Sequence, residues 1–329
     1  MAKLQLSIAI GDYDRVRPLV DGRVQIDGCE PIVMHLSPEE VFFRAFRQGA
    51  FDVCELSLST FALRTARGDC PYVGVPVFPS RSFRHTAIYV RTDRIKGPKD
   101  LKGRRIGVPE YQVTANVWAR AILLDDHGVD PSHIRWVQAG IEEPGRIEKA
   151  AFDLPEGVHL EPAPEGRTLS GMLEAGEIDG VISPRAPSCF KRGAANVGWL
   201  FPDPMAAAAD WYRRTGIFPI MHVLGVRAAL AERHPWLPMA LYKAFDEARR
   251  LAIEALSDPA APVASLPFLD EHLGFVRGLM GEDFWPYGLE PNRRTLEAFL
   301  EHHHRQGLST RKLTAEELFH PSVGERFRV

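Results

Sequence analysis

Apolar and polar positions alternate through "KLQLSIAI", residues 3–10, which is the two-residue period of a strand with one buried face. The spacing then lengthens. In "PEEVFFRAFRQGAFDVCELS" apolar residues recur at helical spacing up to Gly49 and run together beyond it, predicting an amphipathic helix, a glycine stop and a buried strand. The opening therefore reads β-α-β. "TFALRTARG" predicts a helix, "YVGVPVF" and "TAIYVR" predict strands, and "RIGV" predicts a strand that leads through a loop to a long helix ending at Gly128. "IRWVQAG" predicts a further strand, residues 153–168 a surface loop, "SGMLEAGEI" a helix and "DGVIS" a strand. After a strand at "MHVLGVR", the stretches "PWLPMALYKAFDEARRLAIEAL", "PFLDEHLGFVRGLM" and "RRTLEAFLEHHHRQG" are helical. Such alternation predicts an α/β protein with largely parallel sheets, where ligands bind beyond strand carboxyl ends and near helix N-termini.

The chain has 329 residues, enough for two lobes with separate cores. Its 40 lysines and arginines nearly balance 43 acidic residues, so nothing general attracts nucleic acid or an anionic membrane. Any anion site must be local. Cys29, Cys54, Cys70 and Cys189 are scattered without a CxxC pair, predicting a reduced protein with no disulfide or zinc framework. No secretory h-region follows Met1 and no apolar run suits a membrane helix, so a cytoplasmic location is expected. GxGxxG, phosphate-loop, HExxH and GxSxG motifs are missing from the sequence, and neither a metal nor an organic cofactor is expected.

Candidate chemistry sits in the loops. "CELSLSTF" places Glu55, Ser57, Ser59 and Thr60 at a strand end and helix start, where Ser59 or Thr60 can cap the helix and free amides favour a carboxylate. Glu55 could instead be a buried acid paired with an arginine. "PEYQVTANVWAR" repeats the device with Tyr111, Gln112, Thr114 and Asn116, although Thr114 as a plain cap and Tyr111 as packing are the bland alternatives. "PSRSFRHTAIYV" gathers Arg81, Arg84 and His85; if extended, it sets Phe83, His85, Ala87 and Tyr89 on one face and Arg84 on the other. An ion-pair cluster is the alternative there. Arg185 in "SPRAPSCF" lies between prolines that stiffen its loop, and His222 in "IFPIMHVLGV" reads as a core histidine or a catalyst. His302, His303 and His304 are adjacent on a helix, point in three directions and read as surface.

The segments "GPKDLKGRRIGVPEYQVTANVWARAILLDDHGVD", "GEIDGVI" and "HVLGVRAALAERHPWL" resemble the type II periplasmic-binding-protein fold. More narrowly, "FDVCELSLSTF", "FPSRSFRHTAIYVR", "GVPEYQVTANVWARAIL", "SPRAPSCF" and "GIFPIMHVLGVR" resemble the 4,5-dihydroxyphthalate decarboxylase family, enzymes on that scaffold. The resemblance implies an α/β, two-lobed type II periplasmic-binding-protein-like fold with a cleft between lobes. Lobe 1 is expected from residues 1–88 and 222–329 and lobe 2 from 89–221, with crossings near 86–92 and 219–227. It also implies cofactor-independent decarboxylation of a hydroxylated aromatic diacid to protocatechuate. In that scheme His85 donates the proton, Arg81 and Arg185 clamp carboxylates, His222 meets a phenolic oxygen, and Glu55, Ser57, Ser59, Tyr111, Gln112 and Thr114 line the substrate. Expected partners are this small aromatic carboxylate and, at most, further copies of the chain. The alternative is a solute-binding protein for a small aromatic or carboxylate anion.

Overall fold

Local signals set most elements where the pattern placed them. The computed structural model, which describes residues 3–148 and 152–323, begins with β1 (Leu4–Ile10), α1 (Arg17–Val20), β2 (Cys29–His35), α2 (Pro38–Gln48), β3 (Val53–Ser57), α3 (Leu58–Arg67) and β4 (Tyr72–Arg81). The chain continues through β5 (Ile88–Arg91), β6 (Arg105–Val108), α4 (Thr114–His127), β7 (Arg135–Gln138), β8 (His159–Pro162), α5 (Leu169–Ala175) and β9 (Gly180–Ile182). Then come α6 (Ser188–Lys191), β10 (Val197–Trp199), α7 (Pro204–Thr215), β11 (Ile220–Arg227), α8 (Ala228–Arg233), α9 (Leu237–Ala255), α10 (Leu269–Met280) and α11 (Arg293–Arg305). Ser37 caps α2 by accepting from the Glu40 amide, and Gly49 ends it at φ 58°, a left-handed conformation that costs glycine little.

The described residues form two units. Unit 1 is built from the segments ending at Arg81, running His222–Leu296 and starting at Leu313; unit 2 takes Ser82–Met221 and Glu297–Lys312. The first crossing thus falls at Arg81/Ser82 rather than 88/89, because the Ser82 amide donates to the Pro219 carbonyl at 3.1 Å inside unit 2. Glu297–Lys312, expected in lobe 1, joins unit 2 through Gln306, which accepts from Arg120 at 2.7 Å and donates to the Val117 carbonyl at 3.1 Å.

Unit 1 holds a sheet of order β2-β1-β3-β11-β4, and unit 2 one of order β10-β5-β9-β6-β7-β8. The pairs β1–β2, β1–β3, β6–β7, β6–β9 and β7–β8 are parallel, whereas β3–β11, β5–β9 and β5–β10 are antiparallel. β3 is buried at every residue, as befits a strand covered on both faces. Leu6, Ile8, Val53, Leu56, Phe61, Val77 and Val223 belong to the core of unit 1; Tyr89, Val137, Leu169, Met172 and Val181 cluster in unit 2.

Several expectations are corrected. α1 and β2 come between β1 and α2 in sequence, so the opening is β-α-β-α-β; the stretch 153–168 contains β8; and α7 and β10 had no predicted counterpart. Residues Arg84–Ala87 coil into a 3₁₀ turn instead of extending, fastened by the Thr86 hydroxyl donating to the Phe83 carbonyl at 3.2 Å. His302 and His303 are buried, not surface, because this face of α11 packs in unit 2, with His302 bonded to Asp125 at 2.7 Å.

Candidate active site

Cross-strand register assembles the unit 1 site. His222 on β11 stands directly opposite Ser57, the last residue of β3, and Glu55 lies two residues earlier on the same face. Diagonal neighbours can touch, and they do: the buried Glu55 carboxylate hydrogen-bonds His222 Nδ1 through Oε1. The Tyr13 hydroxyl donates to the same oxygen at 2.6 Å, and the Gly11 amide donates to Oε2 at 3.0 Å. Gly11 and Tyr13 follow the carboxyl end of β1, which runs parallel to β3, so both strand ends open onto this group.

The electrostatics match the geometry. Burial alone would push the Glu55 carboxyl up, but the His222 charge and the hydrogen bonds from His222, Tyr13 and Gly11 outweigh it and hold it below its ordinary value. A buried carboxylate beside an imidazole fixes one ring nitrogen and leaves the other for chemistry. The His222 ring is half-buried, and the Phe42 ring meets it edge-on at 4.9 Å. Ser57 occupies the N-cap position of α3 without a side-chain cap bond, and Ser59 and Thr60 fall in the first turn, so neither is the cap. The amides of that turn have no intrahelical acceptor.

His85 is placed elsewhere. The 3₁₀ turn directs it into unit 2, 2% exposed, against the rings of Phe201 at 5.1 Å and Trp211 at 5.8 Å, with Nδ1 lacking a hydrogen-bond partner among the described residues. Burial depresses it to about 4, so near neutrality it is an uncharged imidazole with no proton to spare. Arg84 beside it is half-buried, its Nε directed at Met221 Sδ at 2.9 Å, and burial lowers it to about 10.

Arg81 is committed to the fold. Its buried guanidinium donates to Asn292 Oδ1 at 2.8 Å and to the Pro286 carbonyl at 3.3 Å, both within unit 1. Arg81→Ala is therefore expected to cost about 1.5–3 kcal/mol of stability, the scale of hydrogen bonds to a charged group, at unchanged KM. Thermal melts run beside kinetics decide it: a raised KM at constant Tm would return Arg81 to the substrate.

The predicted anion seat of unit 2 holds a carboxylate of the chain itself. Glu148 accepts from the Tyr111 amide, from the Gln112 amide at 3.5 Å and from Gln138 Nε2 at 2.9 Å. Burial raises its carboxyl to about 7, opposed by the Tyr111 amide and reinforced by Glu110. Tyr111 packs over Arg120, whose guanidinium carbon is 3.7 Å from the ring centroid, and stacks on Phe152. Gln112 is buried; Thr114 opens α4 after Val113, which is the N-cap residue, so Thr114 is not the cap. Arg185 is exposed, its amide donating to Ser183 Oγ at 3.1 Å.

Sequence reasoning missed Tyr13 and Arg15. Their signal was a glycine just past a strand's carboxyl end, followed by a tyrosine and an arginine. Among the described residues, no three His, Cys, Asp or Glu side chains come together as metal ligands, and no helix is long and apolar enough to cross a membrane.

No family model matches the chain. It is 58% identical over 330 residues to a 4,5-dihydroxyphthalate decarboxylase of Comamonas testosteroni, with all of both chains covered. It is 61% identical over 214 residues to the enzyme of the same name from Pseudomonas putida, covering 65% of this chain and 83% of the other. Among solved structures it is similar to the periplasmic aliphatic sulphonate binding protein SsuA of Escherichia coli, at TM-score 0.55 and 14% identity over 98% of this chain and 99% of that one. The alkanesulfonate-binding protein SsuA of Xanthomonas axonopodis pv. citri, bound to MOPS, gives TM-score 0.53 and 12% identity over 97% and 99%. These likenesses establish the fold as periplasmic-binding-protein-like and carry nothing about the ligand.

Proposed function

The chain belongs to the 4,5-dihydroxyphthalate decarboxylase family and is a decarboxylase, and from that premise we propose that it converts 4,5-dihydroxyphthalate to protocatechuate with His222 as proton donor. Losing carbon dioxide from an aromatic ring requires a proton at the carbon that bears the leaving carboxylate. The phenolate form of the hydroxyl para to that carbon pushes electrons in while His222 delivers the proton, giving a dienone whose carbonyl becomes the phenolate again when carbon dioxide leaves. The ring-to-carboxylate bond then breaks, its electron pair restores the aromatic ring, and carbon dioxide leaves. The substrate serves as its own electron sink. What remains for the protein is to position the ring, supply the proton and stabilise the oxyanion.

The observation that carries this reading is the Glu55–His222 pair. Glu55 engages Nδ1, so Nε2 is the nitrogen that gives the proton, and the carboxylate stabilises the imidazolium that must exist beforehand. Ser57, opposite His222, and the first-turn amides of α3, which contains Ser59, offer donors to a substrate oxygen. A cytoplasmic location and the absence of a metal requirement belong to the same reading. Incubation with 4,5-dihydroxyphthalate, followed for carbon dioxide and protocatechuate, is expected to show turnover that exhaustive chelation leaves intact. Binding without turnover would return the chain to the solute-binding alternative.

A further inference from the structure

We propose that Tyr13 is a positioning residue for the decarboxylation, its phenol holding the Glu55 carboxylate beside His222 while Gly11 and Arg15 hold the phenol. The proposal rests on the reading of Glu55 and His222 above. Glu55 Oε1 takes two donors, Tyr13 Oη at 2.6 Å and His222 Nδ1, and Oε2 takes the Gly11 amide at 3.0 Å. A fully buried carboxylate keeps its charge through such donors, and with a single orientation satisfying all three it has little freedom to turn away from the imidazole.

Tyr13 is itself built in. A Cβ on residue 11 would lie 2.8 Å from Tyr13 Cε2 and 2.9 Å from Cζ, so glycine is what lets the ring rest on this turn. Arg15 lies between two rings, its guanidinium carbon 4.4 Å from the Tyr13 centroid and 4.2 Å from that of Trp285. Arg15 Nε donates to the Pro79 carbonyl at 2.9 Å and Nη1 to Asp14 at 2.8 Å, while the Trp285 indole donates to the Phe78 carbonyl at 3.0 Å. Ser80 also lies near the phenol. The groups facing the Tyr13–Glu55 contact are therefore Arg15, Ser80, His222 and the Gly11 amide. Burial and the Glu55 charge push the Tyr13 hydroxyl well above its ordinary range, so it stays protonated and acts as a donor to Glu55 rather than as the acid of the reaction.

Tyr13→Phe keeps the ring and removes the donor. Losing a hydrogen bond to a charged group is expected to lower kcat about tenfold, with KM within about twofold. Because that donor helps hold the Glu55 pKa low, its loss moves the acid limb of the kcat/KM profile to higher pH. Gly11→Ala, which displaces the ring, should shift the limb the same way. An unmoved limb and normal kcat in Tyr13→Phe overturn the proposal, as does a lowered Tm with an unchanged profile, which would assign the phenol to folding alone. Normal kcat in His222→Gln would instead bring down the reading of the pair on which the proposal stands.

Discussion

Replacing His222 with glutamine is expected to lower kcat by about 10²- to 10⁴-fold, the scale of general acid catalysis, while KM changes little. The asymmetry follows from when the proton matters: it moves in the transition state, and a substrate seated on other donors is bound before that. Glutamine approximates the volume of the ring and can still donate to Glu55, so the buried carboxylate keeps a partner and the fold keeps its melting temperature. Single-turnover measurement of carbon dioxide separates the chemical step from substrate binding and product release. Retention of near-normal kcat would remove His222 from the reaction.

Acidification from pH 6.5 towards 4 is expected to cost up to about 3 kcal/mol through His85. Burial depresses its folded value to about 4; the Asp126 charge opposes this, while His127 and Arg214 add to it. Above the unfolded value of 6.5 both states are neutral at this residue and stability is intact. As pH falls, the unfolded chain takes up a proton that the folded chain refuses, so stability declines until the folded imidazole also protonates near 4. His127, likewise depressed by burial, adds in the same direction. His85→Phe fits a pocket walled by Phe201 and Trp211 and should flatten this dependence in denaturant melts while leaving kcat within about twofold. A collapse of kcat at constant stability would restore the catalytic role that the sequence suggested.

The fold was legible wherever burial writes a period into the chain. β1, α2, β3, α4 and β11 each pack at least one face into a core, and each was found. β2, β8 and β10 were not, and all three are sheet edges. An edge strand needs little apolar alternation; β8 has no buried residue, and β2 buries only Cys29 and contains Pro31. In the site, Glu55 and His222 were individually readable as polar residues in apolar strands, but their pairing depends on a register between segments more than a hundred residues apart. His85 sits where the sequence did not place it because residues 84–87, read as extended, coil, and Arg81 finds a partner far downstream. A local hydroxyl-to-carbonyl bond at Thr86 and an asparagine far downstream decide their places, and neither leaves a periodic signal.

The order of strands in unit 1 has a consequence for how the chain is made. β11 lies between β3 and β4, yet it begins only at Ile220, after nearly all of Ser82–Met221 in sequence. A nascent polypeptide leaving the ribosome therefore carries β3 and β4 with unsatisfied backbone edges until their central neighbour has emerged, a window in which such edges recruit other chains or chaperones. Insertion of a middle strand from so far away is a slow, non-local step. Gly225 sits at the heart of it: a Cβ there would lie 2.3 Å from Leu56 Cδ1 on β3. Crowding that seam, as in Gly225→Ala, should thus appear first as a loss of soluble yield during expression, with the molecules that do mature retaining their turnover.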